Sequence, residues 1–215
     1  MFEKLNPEWE TVAGMRTPRR LDAPAHAGGL GLCDASALPK FGMAGPCAAE
    51  WLAVQGISVP GSIYAWCALR GDTGLIVRLP FDEFFIEDGP EDLTVPVLKA
   101  NLGDGQAGCY PIERQDAGLL VCEPEGSIRP AGAAITALME QCCAVELARE
   151  RGNFLMTRVA GVNSMLLWRP PALRLWCSAS VAIYLWETLC EIAHDLGGDP
   201  VGLASAQRRA IAGGV

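Results

Sequence analysis

The residues able to do chemistry in this sequence are nine cysteines, two histidines and a few neighbouring acids, and their spacing excludes more than it offers. The cysteines fall at Cys33, Cys47, Cys67, Cys109, Cys122, Cys142, Cys143, Cys177 and Cys190. None forms a Cys-x-x-Cys pair, and neither His26 nor His194 stands at metal-ligand spacing from them, so no metal site is expected. Most lie inside apolar runs such as YAWCAL, LLVCE and RLWCSAS, where a free thiol behaves as a small hydrophobe. Reduced core thiols are the expectation, with one reactive thiol as the alternative. Cys142 and Cys143 fall in an expected helix and would point to different sides, so they cannot easily chelate one ion. A Ser-His-Asp triad would need His26, in an Ala/Gly-rich segment, or His194, near a helix end where a cation suits the dipole. There is no glycine-rich nucleotide loop and no Gly-x-Ser-x-Gly elbow. Acids occur as Asp82-Glu83 and Glu87-Asp88, with Glu113 alone, and adjacent carboxylates of this kind read first as a solvated edge. No catalytic residue follows from spacing.

Aromatic residues offer a different chemistry. Tyr64 and Trp66 are two apart in a β-rich run, which places them on one face of a strand. Such a pair is either sheet core or a platform for a flat heterocycle.

Composition narrows the class. Of 215 residues, 50% are apolar and 20% charged, ample for a buried core and unlike a disordered chain. The net charge is −8 with only 17 Lys and Arg, so a phosphate backbone is repelled and no nucleic-acid partner is expected. Positive charge gathers only in MRTPRR and at Arg208-Arg209, read as solvated arms or as docking sites for an acidic partner. Every apolar run breaks well short of the roughly 18 residues a membrane span needs. The opening MFEKLNPEWE has neither the basic end nor the apolar stretch of a signal peptide, so a cytoplasmic location is expected.

The elements that must position these residues follow from periodicity. Residues 1–29, rich in Pro, Gly and Ala, read as an extended arm. A first α+β lobe is expected over 30–105. Leu32, Phe41 and Met43 suit a short strand ending at Gly45-Pro46, and PCAAEWLAVQGI suits a helix stopped by Gly56. Two β-rich runs flank RGDTG as a hairpin, and FFIE makes a third strand. GPEDLTVPVLKANLGDGQAG reads as a loop dividing the chain near residue 105. A second lobe over 106–197 repeats the order: strands in CYPIERQDAGLLVCEPEG, then a helix entered at Pro130 with Ile135, Leu138 and Met139 at helical spacing. MTRVAGVNSMLLWRPPALRLWCSAS follows as strand–turn–strand bent at Pro170-Pro171. The helix VAIYLWETLCEIAHDL then gathers Ile183, Leu185, Trp186, Leu189, Ile192 and Ala193 on one face. Residues 198–215 form a C-terminal tail. The fold class is therefore α+β: two pseudo-duplicated lobes of antiparallel sheet with covering helices.

Three short segments carry a family resemblance. GLCDASALPKFGMAGPCAAEWL, with Asp34, Ser36, Gly45 and Pro46, is similar to the opening of the tetrahydrofolate-dependent aminomethyltransferases, the T-proteins of glycine cleavage. MTRVAG (156–161) resembles that family's Ser-Arg-x-Gly strand, and VAIYLWETL (181–189) its following helix, with Trp186 and Glu187 in place. The small size and the order of these segments look most like the gamma subunit of heterotetrameric sarcosine oxidase. The resemblance covers about residues 30–197.

That resemblance implies a folate-binding T-protein-like fold and a place in a complex that oxidises N-methylated amines and passes the one-carbon unit to tetrahydrofolate. Departures from the pattern matter. Val77 and Arg78 stand where the family keeps acids after its first hairpin turn, and Asn163 and Ser164 stand where a later carboxylate is expected. Without them the chain lacks a group to deprotonate the folate amine. The expectation is a non-redox accessory subunit, sarcosine oxidase-like or dimethylamine monooxygenase-like, whose flavin, haem or iron–sulfur chemistry resides in partner subunits. The alternative is a free-standing tetrahydrofolate-dependent enzyme or folate-binding factor. Folate-binding candidates are Tyr64 and Trp66 for stacking, Glu83 for the amino-pyrimidine edge and Arg78 for the glutamate tail. A third reading is a scaffold that binds no ligand.

Overall fold

The computed structural model describes residues 6–21, 30–69, 74–89, 93–103, 107–123, 132–150, 152–204 and 206. His26, Pro130, Arg208, Arg209 and residues 70–73 of the RGDTG turn lie outside the described residues. Strands β1 (Glu8–Val12) and β2 (Met15–Arg20) pair as an antiparallel ribbon, and β3 (Gly31–Asp34) follows. One succession of elements then occurs twice. Its first copy is β4 (Lys40–Ala44), α1 (Ala48–Val54), β5 (Trp66–Ala68), β6 (Leu75–Leu79), β7 (Glu83–Glu87), α2 (Thr94–Leu102) and β8 (Tyr110–Ile112). The second is β9 (Asp116–Cys122), α3 (Ala133–Glu140), β10 (Phe154–Val159), β11 (Val162–Arg169), β12 (Ala172–Ser178), α4 (Ala182–Asp195) and β13 (Asp199–Pro200).

The sheets show the same duplication. Strand order is β5-β6-β7-β4-β8 in one and β10-β11-β12-β9-β3-β13 in the other, identical in plan except that β3 is inserted before the last strand. Helices cover one face of each sheet. In the smaller sheet Phe41, Met43, Ile76, Phe84 and Ile86 pack with Trp51 and Leu52 of α1 and Val95, Leu98 and Leu102 of α2. In the larger, Leu119, Val121, Leu166, Leu173 and Leu175 pack with Ile135 and Leu138 of α3 and Leu185 and Leu189 of α4. The α+β class and the duplicated lobes stand as read from the sequence.

The boundaries fall differently. The two compact units are Leu38–Gln115, and Met1–Ala37 together with Asp116–Val215. Consecutive lobes at 30–105 and 106–197 miss the fact that β3 belongs to the larger unit, because it pairs with β9 and β13. The expected single strand through Leu32, Phe41 and Met43 is two strands in two sheets. Asp34 and Ser36 terminate the first. The Asp34 Oδ1 accepts the Ser36 N–H at 2.9 Å, and the Ser36 Oγ accepts the Gly118 N–H at 3.2 Å. The Asp-x-Ser signature is thus a turn that stops β3.

Residues 1–29 do not form a loose arm throughout, since 8–20 carry the ribbon, with Thr17 3% exposed. Nor is 198–215 wholly a tail: β13 pairs in parallel with β3, and Leu203 and Ala206 are buried. The stretch read as a loop at 89–108 contains α2. Its Pro96 lies in the first turn, where no intrahelical N–H bond is required. A cap comes from outside the helix, as the buried Asp88 Oδ2 accepts the Val95 N–H at 2.9 Å. The helix α3 ends at Glu140, so Cys142 and Cys143 follow it, and Cys143 makes a lone bridge with Val159. On α4, Ile183 is 74% exposed and the buried face is Leu185, Leu189 and Ala193.

Candidate functional site

Register sorts the four expected folate contacts by face. Arg78 stands opposite Phe84 and Glu83 opposite Leu79. Because side chains alternate along a strand, Arg78 shares the helix-covered face with Phe84 and Glu83 takes the other face. Trp66 is opposite Val77, and Val77 opposite Phe85, which puts Trp66 on the same face as Glu83. Tyr64 precedes β5, with φ +63°. Its N–H donates to the Arg78 carbonyl at 2.7 Å, while the Arg78 N–H donates to the Ala65 carbonyl at 3.0 Å. Two residues therefore oppose one, a bulge that breaks the alternation on which a shared Tyr64–Trp66 face depended. The structure brings Trp66 and Glu83 to one face and separates Arg78 from them.

Each charged candidate already has a partner. Arg78 Nη2 lies 2.8 Å from Asp82 Oδ1, and its guanidinium lies 5.6 Å from the centre of the Phe84 ring. Glu83 Oε1 lies 2.7 Å from Arg114 Nη1, and the Arg114 guanidinium sits 4.9 Å above the Phe85 ring. Gly42, opposite both Phe85 and Ile112, makes this arrangement possible. A Cβ at Gly42 would come within 2.9 Å of Arg114 Cδ and 2.8 Å of Ile112 Cβ. Sequence reasoning missed Arg114. The available signals were a glycine inside a strand, which marks a close approach, and a cation two residues beyond β8.

Further along the same face, Lys40 stands opposite Glu87. Lys40 Nζ is 3.3 Å from Glu87 Oε2 and donates to the Leu38 carbonyl at 2.9 Å, with both side chains at most 3% exposed. Glu87-Asp88 is consequently not the solvated edge that two adjacent acids suggested. One carboxylate pairs with a buried ammonium and the other caps a helix, which is how buried charge is tolerated.

In the larger unit two of the segments behind the family resemblance, 156–161 and 181–189, meet. Arg158 Nε donates to Asn163 Oδ1 at 3.1 Å across β10–β11, and the Tyr184 hydroxyl donates to the Ala160 carbonyl at the turn, 3.2 Å away. Ser164 Oγ donates to the Val162 carbonyl at 3.1 Å. Positions where an acid was expected are thus filled by local packing and hydrogen bonding, Val77 being fully buried.

Four of the nine thiols are poor nucleophiles. Burial, and then Cys143, pushes Cys142 up to about 11. Burial, and then Glu187, pushes Cys190 up to about 12. Cys33 is raised by burial, then by Cys122 and Asp34, and Cys177 by burial and Asp116. All four stay protonated near neutral pH, where a thiol neither attacks nor ligates readily. The smaller unit has no histidine. What the partly exposed residues of this face offer is Trp66 and, on the same side of the sheet, a carboxylate oriented by a guanidinium, an arrangement suited to binding.

The sequence matches no protein-family model, and no curated protein matches it. Solved structures do share its fold. A chain of the heterotetrameric sarcosine oxidase from Corynebacterium sp. U-96, in complex with pyrrole 2-carboxylate, superposes with TM-score 0.60 at 18% identity, over 78% of this chain and 85% of that one. The glycine cleavage system aminomethyltransferase T from Bartonella henselae gives TM-score 0.67 at 15% identity, over 99% of this chain but 60% of that one. At such identities the likeness is one of fold. The chain has the T-protein-like fold that its short motifs indicated, also found in a sarcosine oxidase chain.

Proposed function

We propose that this chain is a non-redox accessory subunit of a multi-subunit, cytoplasmic complex that demethylates N-methylated amines, and that it contributes to a tetrahydrofolate site receiving the one-carbon unit. The carrying observation is coverage. The shared fold takes in most of this chain and 85% of the matched chain of a heterotetrameric sarcosine oxidase, whereas the aminomethyltransferase extends well beyond it. The missing acids at Val77, Arg78, Asn163 and Ser164 support a supporting role. Flavin, haem or iron–sulfur groups then belong to partner subunits.

The expected quartet of folate contacts does not fit one ligand, because Arg78 lies on the face opposite Glu83. Trp66, Glu83 and Arg114 fit in chemistry. Trp66 supplies an aromatic plane, Glu83 an acceptor for an amino-pyrimidine edge, and Arg114 holds that carboxylate in place. Trp66 and Glu83 are two strand spacings, about 10 Å, and one two-residue step, about 7 Å, apart, so they would border an extended ligand instead of sandwiching one ring. Bound tetrahydrofolate would supply the nitrogen that accepts a one-carbon unit.

Titration of the isolated chain with tetrahydrofolate tests the site. Saturable quenching of tryptophan fluorescence is expected, weakened at least tenfold in Glu83→Gln and reduced in amplitude in Trp66→Phe. No change at millimolar ligand removes folate from the proposal. Identifying the chains that co-purify tests the complex: a flavin, haem or iron–sulfur oxidase is expected. A lone chain that turns over folate by itself would instead establish the free-standing enzyme.

A further inference from the structure

The connection between β6 and β7 carries a feature that the smaller unit's own packing does not use. Pro80, Phe81 and Asp82 join Leu79 to Glu83, which face each other across the pair. Phe81 is 96% exposed, with φ +62°, and Asp82 follows with φ +53°. A left-handed backbone is an outlier for a bulky aromatic residue and is strained. An exposed phenyl ring gains no burial to offset that, and glycine or asparagine would make the turn with less strain. The mount is nevertheless fixed. Asp82 pairs with Arg78 at 2.8 Å and its carbonyl accepts the Gly45 N–H at 3.2 Å. Tyr64, also at positive φ, bonds to the backbone of Arg78 at 2.7 Å, and it and Ile63 are 40% and 55% exposed. Strained backbone that serves no internal packing, under an exposed aromatic ring, is a signature of an external contact.

Charge indicates what that contact is. In both ion pairs beside the tip the acid is the more exposed member, Asp82 at 53% against Arg78 at 25% and Glu83 at 28% against Arg114 at 14%. The Asp82 carboxylate, next to Phe81 in the turn, is therefore the charge most open to solvent there, on a chain of net charge −8. A second copy would bring like charge to the same place, whereas a basic surface is complementary.

We infer that Phe81 is a plug which, flanked by Ile63 and Tyr64, inserts into an apolar socket rimmed by Lys or Arg on another polypeptide of the complex. This rests on the accessory-subunit reading above. The test compares the full wild-type chain with Phe81→Gly and Phe81→Leu, each for its thermal midpoint alone and for its affinity towards the polypeptides that co-purify with the wild type. Phe81→Gly relieves the turn, so its midpoint should equal or exceed the wild type's. Its affinity should fall about 30-fold, the factor matching the 2 kcal/mol that marks a hot spot. Phe81→Leu should retain affinity within several-fold, and wild-type association should slow as salt rises. A loss of affinity below tenfold in Phe81→Gly overturns the plug alone. So does a lowered midpoint, which would show that Phe81 serves its own fold, or a wild-type homodimer that Phe81→Gly dissociates. If the wild type assembles with no other chain, the accessory-subunit reading fails and the plug with it.

Discussion

Glu123 shows how a single side chain can hold an element that its local sequence does not cap. It lies just after β9, 3% exposed, and its carboxylate accepts the N–H groups of Gly132 at 2.7 Å, Ala134 at 2.7 Å and Ile135 at 3.3 Å. The helix α3 begins after Gly132 without a capping side chain of its own, so three of its orphan donors depend on an acid nine or more residues upstream. Asp88 does the same for α2 through the Val95 N–H. The favourable dipole interaction adds to the hydrogen bonds. Glu123→Gln keeps the shape but turns an amide donor towards N–H groups. It should lower unfolding free energy by about 1–3 kcal/mol, read as a shift of the urea midpoint at unchanged m-value. A change within the error of the fit would refute the cap. Lys40 and Glu87 are a comparable pair at the β4–β7 seam, where losing one partner strands a buried charge.

At the scale of elements, the β1–β2 ribbon depends on a glycine in the segment read as a tail. A Cβ at Gly202 would meet the Arg19 carbonyl and lie 2.6 Å from the Arg20 backbone N, so only glycine lets the ribbon lie against that segment. The ribbon itself is held by the Glu10–Arg19 and Glu8–Arg20 pairs and by Arg16 stacked 4.2 Å over Trp9. Exposed pairs of this kind contribute little, and a two-stranded ribbon is marginal alone. Gly202→Ala should therefore undock it. Trypsin cleavage at Arg16, Arg19 and Arg20 should accelerate about tenfold or more, the factor that 1.4 kcal/mol represents, while the rest of the chain keeps its resistance. Unchanged cleavage would mean that the ribbon is anchored elsewhere.

For the molecule as a whole, partly buried thiols set an alkaline limit. Unfolded cysteine loses its proton near 8.5, but Cys142 is held up to about 11 and Cys190 to about 12, chiefly by burial. Above the unfolded value the unfolded chain binds fewer protons than the folded one, so stability falls with rising pH. The stabilisation is complete below about 8.5 and is lost as pH climbs through 11 and 12. The thermal midpoint should decline from pH 8.5 to 10.5, and less steeply when Cys142 and Cys190 are both replaced by alanine; identical slopes would remove the thiols as the cause. The sequence by itself determined the α+β class, the duplicated order of elements, the helices α1 and α4, and the antiparallel pairing of the two runs that became β5 and β6. These follow from local periodicity and glycine positions, which act over a few residues. Only the tertiary structure decided that β3 joins the later unit, that buried Asp88 caps α2 where breakers predicted a loop, and that a bulge at Tyr64 and the register of β6–β7 send Arg78 and Glu83 to opposite faces while Gly42 admits Arg114. Those outcomes depend on which strands pair and in what register, which periodicity within one segment does not set, and a shift of one residue in a pairing reverses every side chain that follows.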